Sequence, residues 1–326
     1  MRAPIVLDRG RPRSPHERAE RRAAVTRTAV VIGGSGYLGR GIGEFLAAHG
    51  WRVVPVGRAE FDVAAAPIAA LTELLSGAEL VVNAAGALWQ VSDAQMVTAN
   101  TVLMQRLLDA VTALPRPAMV VQLGSVYEYG SGHGGTVDES TPPRPETAYG
   151  RTKLAATEAL RRWPGDGVVL RCSTVIGARA PRAGLLGSIA HRLAELSVED
   201  AVPRVLELPA LRGSVDVLDL RDLGAAVLAA ANAPAAAADA AVVNIASGAA
   251  VPVEFAVHRL IELSGVAVRL VGVGGAGSPR AAAGAPPISI ERAYRRLGWA
   301  PRFALDDTLR ALWRYTSEAR TGASNT

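Results

Sequence analysis

Between Thr28–Ile32, a short run of β-branched and apolar residues, and the helical stretch Arg40–His49, the chain reads Gly33-Gly34-Ser35-Gly36-Tyr37-Leu38-Gly39. Gly33, Gly36 and Gly39, three apart at a strand-to-helix junction, constrain the fold more than any other feature. Glycines there permit a tight turn, let the backbone approach an anion closely, and let the helix pack close on the strand. The first amides of the helix are then free to point at that anion. A glycine triplet alone is weak in a chain with 33 glycines, so its place between strand and helix carries the meaning. The same alternation continues downstream. Trp51–Val56 reads as a strand, Ile68–Leu75 as a helix, Leu80–Val82 as a strand, Ala94–Ala113 as a long helix and Ala118–Leu123 as a strand. A Gly-, Pro- and Ser-rich loop over 130–147 leads into helix Ala148–Arg162, a break at Pro164-Gly165 and strand Val168–Leu170. Strands alternating with helices of this length predict an α/β fold built on a Rossmann-type, doubly wound parallel sheet. After about residue 175 the alternation becomes irregular, which predicts a smaller C-terminal region with segments returning to the sheet.

Charge separates the chain into two parts. Residues 1–27 hold eight arginines against Asp8, Glu17 and Glu20, a balance of +5, which is the formal charge of the whole chain. The remainder is neutral, so the basic isoelectric point does not argue for a nucleic-acid partner. The head is dense in charge, carries Pro4, Pro12 and Pro15, and lacks an apolar stretch of signal-peptide length. Such a segment is expected to be a disordered Arg-rich tail, with an arm for an anionic partner as the alternative. Cys172 is the only cysteine, which excludes an intrachain disulfide and a Cys-based zinc site. The five histidines show no ligand spacing, so no metal is expected. No apolar run is long enough for a membrane span; the Ala-rich stretch 225–241 is interrupted by Asn232, Pro234 and Asp239 and reads as a helix followed by a loop. The expectation is a cytoplasmic protein with no membrane partner.

Of the 35 basic residues, 34 are arginine and one is lysine, Lys153. With the many glycines and alanines this has the look of a GC-rich coding sequence, in which arginine replaces lysine wherever a plain positive charge suffices. The lone lysine is either a chance survivor on a helix surface or the holder of a task that arginine cannot perform. Its neighbourhood favours the second. Tyr149-Gly150-Arg151-Thr152-Lys153 places a phenol and an ammonium four residues apart at a helix start, on one face. An ammonium beside a phenol lowers its pKa and makes it usable as an acid or base. Ser125 follows the strand 118–123, at the sheet edge where open α/β folds bind ligands, and its hydroxyl can hold a carbonyl. Ser125, Tyr149 and Lys153 are therefore the expected catalytic residues. The second strand ends Val56-Gly57-Arg58, without the acid that takes a ribose hydroxyl about 20 residues beyond such glycines. Arg58 is either the partner of a 2′-phosphate, which favours NADPH over NADH, or an exposed surface arginine. Asp62 and Val63 stand where they could flank an adenine.

Taken together these motifs resemble the extended short-chain dehydrogenase/reductases of the NAD-dependent epimerase/dehydratase group, over about residues 28–315. Beside the glycine turn, the resemblance rests on Asn83-Ala84-Ala85-Gly86, Asn100-Thr101 with Leu107-Leu108, and Leu123-Gly124-Ser125 with Tyr129-Gly130. It continues through Asp138-Glu139-Ser140 before Tyr149-x-x-x-Lys153, Arg171-Cys172-Ser173 with Gly177, Val243–Gly248 and Leu297-Gly298-Trp299-x-Pro301. The resemblance implies an NAD(P)-binding Rossmann domain over 28–172 and a mainly substrate-binding region over 173–326. It implies cofactor contacts at Gly33, Gly36, Tyr37, Leu38, Gly39, Arg58, Asp62, Val63, Ala84, Ala85, Gly86, Asn100, Tyr149, Lys153 and Val175. It also implies that Tyr149 protonates a carbonyl oxygen during hydride delivery while Lys153 tunes it and Ser125 orients the carbonyl. Asn100 is either part of a proton relay or a packed, helix-bending asparagine.

Departures from the family pattern narrow the reaction. Sugar-nucleotide dehydratases of this group carry Asp-Glu after the catalytic Ser or Thr; here Val126-Tyr127 stands there and cannot remove water. A family asparagine near the nucleotide diphosphate appears as Thr174, and the family Arg-Asp-x-x-His segment appears as Arg212–Asp222 with longer spacing and no histidine. Candidate substrate contacts are Trp89, Val126, Tyr127, Thr174 and Arg212. The expected activity is NADPH-dependent reduction of a keto group on a nucleotide-linked deoxysugar, of the dTDP-4-keto-6-deoxyhexose 4-ketoreductase type, in an antibiotic or other specialised pathway. NADPH is the expected cofactor, with NAD possible, and a homodimer through the helices at 94–113 and 148–162 is expected by resemblance. The alternatives are an NAD-dependent nucleotide-sugar epimerase and, from another class, a non-catalytic NADP-sensing regulator, which typically lacks the Tyr or Lys.

Overall fold

The computed structural model describes residues 27–88, 91–199, 203–233, 242–272 and 286–323. The strand Thr28–Ile32 (β1) is apolar at every position after its first and is buried along nearly its whole length, as a strand covered on both faces must be. It lies inside a six-stranded parallel sheet with Arg52–Val56 (β2), Leu80–Asn83 (β3), Met119–Ser125 (β4), Gly167–Cys172 (β5) and Val242–Ile245 (β9), in the order β2-β1-β3-β4-β5-β9. From β1 the chain crosses to β2 on one side and returns to β3 on the other. The switch point, and with it the ligand crevice of such a fold, is at the carboxyl ends of β1 and β3.

Period-two alternation sends successive strand residues to opposite faces. Ala29 and Val31 pack with Ile42 and Leu46 of helix Tyr37–Ala48 (α1), with Leu223 and Val227 of Leu220–Asn232 (α7), and with Ala293 of Glu291–Leu297 (α9). Val30 and Ile32 pack on the other side with Leu71 of Ile68–Leu74 (α2), Met104 and Leu107 of Leu103–Thr112 (α4), and Ala156 and Leu160 of Ala148–Arg162 (α5). A separate apolar core lies in the C-terminal part. There Leu185–Ser197 (α6), Val253–Ser264 (α8) and Leu305–Ala323 (α10) bury Leu193, Val257, Leu260, Leu309 and Leu312. Small sheets accompany it: Ser214–Asp219 (β8) runs between Thr174–Ile176 (β6) and Ala250–Pro252 (β10), and Val205–Leu208 (β7) pairs with Arg269–Gly272 (β11).

Two helices differ from their sequence reading. The first starts at Tyr37 rather than Arg40, because Gly36 is extended and caps it, so Tyr37 and Leu38 already sit on its first turn. The helix expected over 94–113 is three pieces: Asp93–Met96 (α3), a π-helical stretch Val97–Val102, and α4. The wider turn holds the buried Asn100, whose amide bonds sideways to another segment. π-segments inside α-helices often mark functional sites. The head expected to be disordered lies outside the described residues as far as Thr26, as do Trp89 and the loop over 234–241. Arg27 belongs to the folded body: it donates to Glu79 and Asn232 and stacks over Trp51. Among the described residues no helix is long and apolar enough to cross a membrane.

Candidate active site

The glycine turn meets the other strand ends directly. Gly33 has a φ of 79°, and a Cβ on it would lie 2.7 Å from the Ala85 nitrogen, so only glycine fits both the dihedral and the contact. Gly33 and Gly34 donate to the Val56 carbonyl at 2.8 and 3.1 Å, and Ala84 donates to Ile32 at 3.0 Å. Asn83 donates to the Gln122 side chain at 2.6 Å and accepts from the Ala85 amide at 3.2 Å. These contacts fix the bend through Ala84, Ala85 and Gly86 against the turn. The N-terminus of α1 faces this junction with its first amides unpaired by any side-chain cap.

Three elements converge at the carboxyl end of β4. Ser125 is the last strand residue; it caps the 3-10 turn Val126–Glu128, its Oγ accepting from the Tyr127 amide at 3.3 Å. Thr147 caps α5 by accepting from the Gly150 amide at 3.0 Å, which sets Tyr149 on the first turn and Lys153 one turn later. The Tyr149 phenol shares a hydrogen bond with the Ser125 side chain. Lys153 is buried and donates to the Leu123 carbonyl at 3.0 Å, with Nζ 5.9 Å from the centre of the Tyr149 ring. The structure thus brings Ser125, Tyr149 and Lys153 together.

The electrostatics correct one expectation. Burial, the largest influence, pushes the Tyr149 phenol above its ordinary range, and the Ser125 hydrogen bond only partly opposes this. Burial also lowers Lys153, against the pull of Glu128. Lys153 donates to the Leu123 carbonyl, and burial outweighs what lowers the phenol, so the expected net lowering does not arise. The neutral phenol is therefore the resting form, which suits a proton donor. Cys172, beside Lys153, is pushed up to about 12 by burial and is no thiolate nucleophile at neutral pH.

Asn100 is a clamp. Its side chain accepts from the Ala87 amide at 3.1 Å, donates to the Ala87 carbonyl at 3.2 Å and donates to Thr152 Oγ1 at 2.9 Å. A Cβ at Gly86 would stand 2.9 Å from Asn100 Oδ1 and 3.1 Å from Lys153 Nζ, so the loop after β3, the π-segment and α5 close on one point. Tyr127 lies edge-on to Tyr149 with ring centres 6.0 Å apart, and Val126 joins a small apolar cluster with Tyr129 and Ile288. Thr174 and Val175 open β6, paired with Val217 and Leu218 of β8. Arg212 is exposed in the loop before β8, Val63 is buried, and Arg58 lies 3.7 Å from Asp62 on the surface after β2. Among the described residues two buried side-chain oxygens have no partner, Tyr37 Oη, which faces Gly177 beyond β6, and Ser173 Oγ just beyond β5. The open amides of α1 and the bare glycine surface beside them fit an anionic group such as a dinucleotide's pyrophosphate.

The sequence reading missed an ion pair beneath the site. Glu128 is wholly buried and accepts from the Ser125 amide at 2.8 Å, from Thr157 Oγ1 at 2.8 Å, and from Arg171 Nε and Nη2 at 3.0 and 2.7 Å. Arg171 stacks over Tyr129, whose hydroxyl donates to Asn244 Oδ1 of β9 at 2.8 Å. Arg171→Met is expected to cost about 3–5 kcal/mol of stability because it leaves Glu128 charged and unpaired. Pairing it with Glu128→Leu is expected to recover part of that loss in urea unfolding.

A cleft of about 620 Å³ opens beside the N-terminus of α1, lined by Tyr37, Arg40, Asp219 and Arg221 among others. It contains none of Ser125, Tyr149 and Lys153, and its charges are largely answered internally by the Arg179–Glu44 and Arg221–Asp219 pairs. The candidate residues stand at the converging strand ends instead. Among the described residues there is no cluster of three or more His, Cys, Asp or Glu able to hold a metal.

Residues 29–246 match the model of the NAD dependent epimerase/dehydratase family. The chain belongs to this family. It is an NAD(P)-dependent oxidoreductase of the extended short-chain dehydrogenase/reductase kind. A family member from Kitasatospora kifunensis, dTDP-6-deoxy-L-talose 4-dehydrogenase (NAD(P)(+)), is 38% identical over 310 residues, covering 89% of this chain and 96% of that one. Among solved members of similar fold, RMD from Pseudomonas aeruginosa complexed with NADPH has a TM-score of 0.78 at 22% identity, over 90% of this chain and 100% of that chain. UDP-glucose-4-epimerase from Stenotrophomonas maltophila, with bound NAD and formylated UDP-arabinopyranose, has a TM-score of 0.76 at 21% identity, over 91% and 99%. These two likenesses bear on the fold.

Proposed function

We propose that the chain interconverts a 4-keto group and a 4-hydroxyl on a dTDP-linked 6-deoxyhexose, with NADP(H) or NAD(H) as the redox partner. The observation that carries this is Tyr149, hydrogen-bonded to Ser125 at the end of β4, with Lys153 buried one turn further along the same helix face. The relative from Kitasatospora kifunensis, named for C4 dehydrogenation of a dTDP-6-deoxysugar, supports the substrate class.

The nicotinamide cofactor supplies or accepts a hydride. The residues of this chain do the rest. The open amides of α1 and the bare surface of Gly33 and Gly36 take the pyrophosphate, and Lys153 takes ribose hydroxyls while holding its charge beneath the phenol. Ser125 positions the carbonyl oxygen beside Tyr149. In reduction Tyr149 gives its proton to that oxygen; in oxidation it takes one from the hydroxyl. Val126-Tyr127, where a dehydratase carries an acid pair, leaves no group to expel water, and Tyr127 instead offers an aromatic edge beside the reacting position.

Incubating the purified chain with dTDP-4-keto-6-deoxyhexose and NADPH should oxidise one equivalent of cofactor per sugar, with NMR showing a new C4–H. The family also contains epimerases. If the protein retained NAD through purification and interconverted two sugars with no net change at 340 nm, the epimerase reading would replace this one. A non-catalytic sensor would bind cofactor and turn over no sugar; the intact Ser125–Tyr149–Lys153 geometry argues against it.

A further inference from the structure

We infer that Glu128 is the counter-ion of Lys153, and that the buried Glu128–Arg171 pair sets the pH range over which Lys153 is an ammonium. Glu128 is thus a positioning residue that acts through Lys153. The inference rests on Lys153 working as a cation in the proposed reaction, and not on which sugar is turned over.

A lysine closed off from water reverts to the neutral amine unless an anion stands near it. Lys153 is 5% exposed, and its ammonium donates to the Leu123 carbonyl, a dipole without net charge. Its other neighbours come from several elements. Tyr149 lies one turn before it on α5, with its ring centre 5.9 Å from Nζ, and its phenol is neutral. Asn100 of the π-segment and Gly86 after β3 approach without charge. Cys172 at the end of β5 is a thiol at neutral pH. Among the described residues the carboxylate that bears on this group is Glu128, and it bears on Lys153, Tyr149 and Cys172 alike.

Glu128 is bonded to both supports of Lys153. On one side Thr157, one turn beyond Lys153 on the same face of α5, donates to Oε2 at 2.8 Å. On the other Ser125, two residues after Leu123 on β4, donates its amide to Oε1 at 2.8 Å. A Cβ at Gly124, between those two strand residues, would stand 2.8 Å from Oε1, so the missing side chain leaves the carboxylate its place against the strand. Arg171 takes Oε2, through Nε and Nη2 at 3.0 and 2.7 Å, and leaves Oε1 on the strand that receives the ammonium. Glu128 is wholly buried, so its charge acts inside the protein and not on a substrate. The signs follow from the charges. The carboxylate favours the ammonium of Lys153, and the Arg171 guanidinium opposes it.

The chain has a single lysine, so its titration can be read in isolation. Lysine labelled with a carbon isotope at Cε gives one NMR signal that follows protonation of Nζ in the full chain, with no sugar or cofactor present. Glu128→Gln removes the anion, keeps an acceptor for Arg171 and leaves that cation unopposed, so the midpoint should move to lower pH. Glu128→Leu combined with Arg171→Met removes both charges, and its midpoint should fall between those of Glu128→Gln and the unaltered chain. The double variant alters more packing than the single one, so a merely structural role would not place it in between. Reduction by Glu128→Gln with NADPH should fall about tenfold per pH unit above the midpoint of its NMR signal, the slope of one proton. Coincident midpoints in the three proteins, or the lowest midpoint in the double variant, overturn the inference. Should Glu128→Gln not fold, the double variant decides alone: a midpoint at or above that of the unaltered chain overturns it. Midpoints in the expected order without turnover of any keto sugar would uphold the counter-ion and remove the proposed reaction, which separates the two failures.

Discussion

Tyr149→Phe should leave a folded protein that binds cofactor within twofold of the unaltered chain and turns over sugar about 10²–10⁴ times more slowly, the usual range for losing a positioned general acid. The change removes one oxygen. Its loss from the Ser125 hydrogen bond should cost only about 1 kcal/mol of stability, so a collapse in rate would not reflect unfolding. Single-turnover measurement with NADPH and the keto sugar reads the effect on the chemical step. Turnover near the unaltered rate would remove Tyr149 from the mechanism. The same side chain sets a pH dependence. Its phenol is raised by burial, so it stays protonated through neutral pH and the reductive rate should hold steady there. Oxidation needs the proton accepted, hence the phenolate, so that rate should climb from pH 7 to pH 9. An oxidative rate that fell with rising pH would contradict the assignment.

Lys153→Arg is the second large effect, and it keeps the charge. The ammonium is buried and donates to the Leu123 carbonyl, and the position of a Cβ on Gly86 is only 3.1 Å from Nζ. A forked guanidinium is wider and rigid, and cannot occupy that space without displacing the loop after β3 or the Asn100 clamp. Turnover should fall by about 10²-fold or more, and overpacking should cost about 1–3 kcal/mol in urea unfolding. Lys153→Met should lose a similar factor in rate with a smaller loss of stability, since it restores volume without charge. If the Lys153→Arg variant kept a tenth or more of the activity, a positive charge alone would suffice there. The other 34 basic residues of the chain are arginine, so this variant asks directly why one is not.

What could be read from the sequence was local. The glycine turn, the four-residue spacing of Tyr149 and Lys153, and the strand ending in Ser125 each depend on neighbours in the chain, and they met in space as the fold class requires. The Glu128–Arg171 pair could not be read that way. Its members are 43 residues apart and meet only because β4 and β5 are adjacent, with Gly124 opposite Arg171 in register and no side chain at Gly124 to block the carboxylate. The π-segment has no residue signature; it follows from placing Asn100 inward to bond Ala87 and Thr152. The phenol misled most, because spacing shows that an ammonium is near but not that burial outweighs the influences that lower it.

The strand Val242–Ile245 has a consequence for how the chain is made. It pairs with β5, receives the hydroxyl of Tyr129 at Asn244, and accepts the Ser173 amide at Ile245. A ribosome releases the glycine turn, Ser125, Tyr149 and Lys153 long before this strand. Until it arrives, β5 is a bare sheet edge of the kind that pairs with other chains, and the segments around the catalytic centre lack their anchor. The nascent protein therefore carries its candidate catalytic residues before it has the means to hold them in place. Folding waits on four residues from the last third of synthesis, and a chaperone acting on this protein has most to protect in that interval.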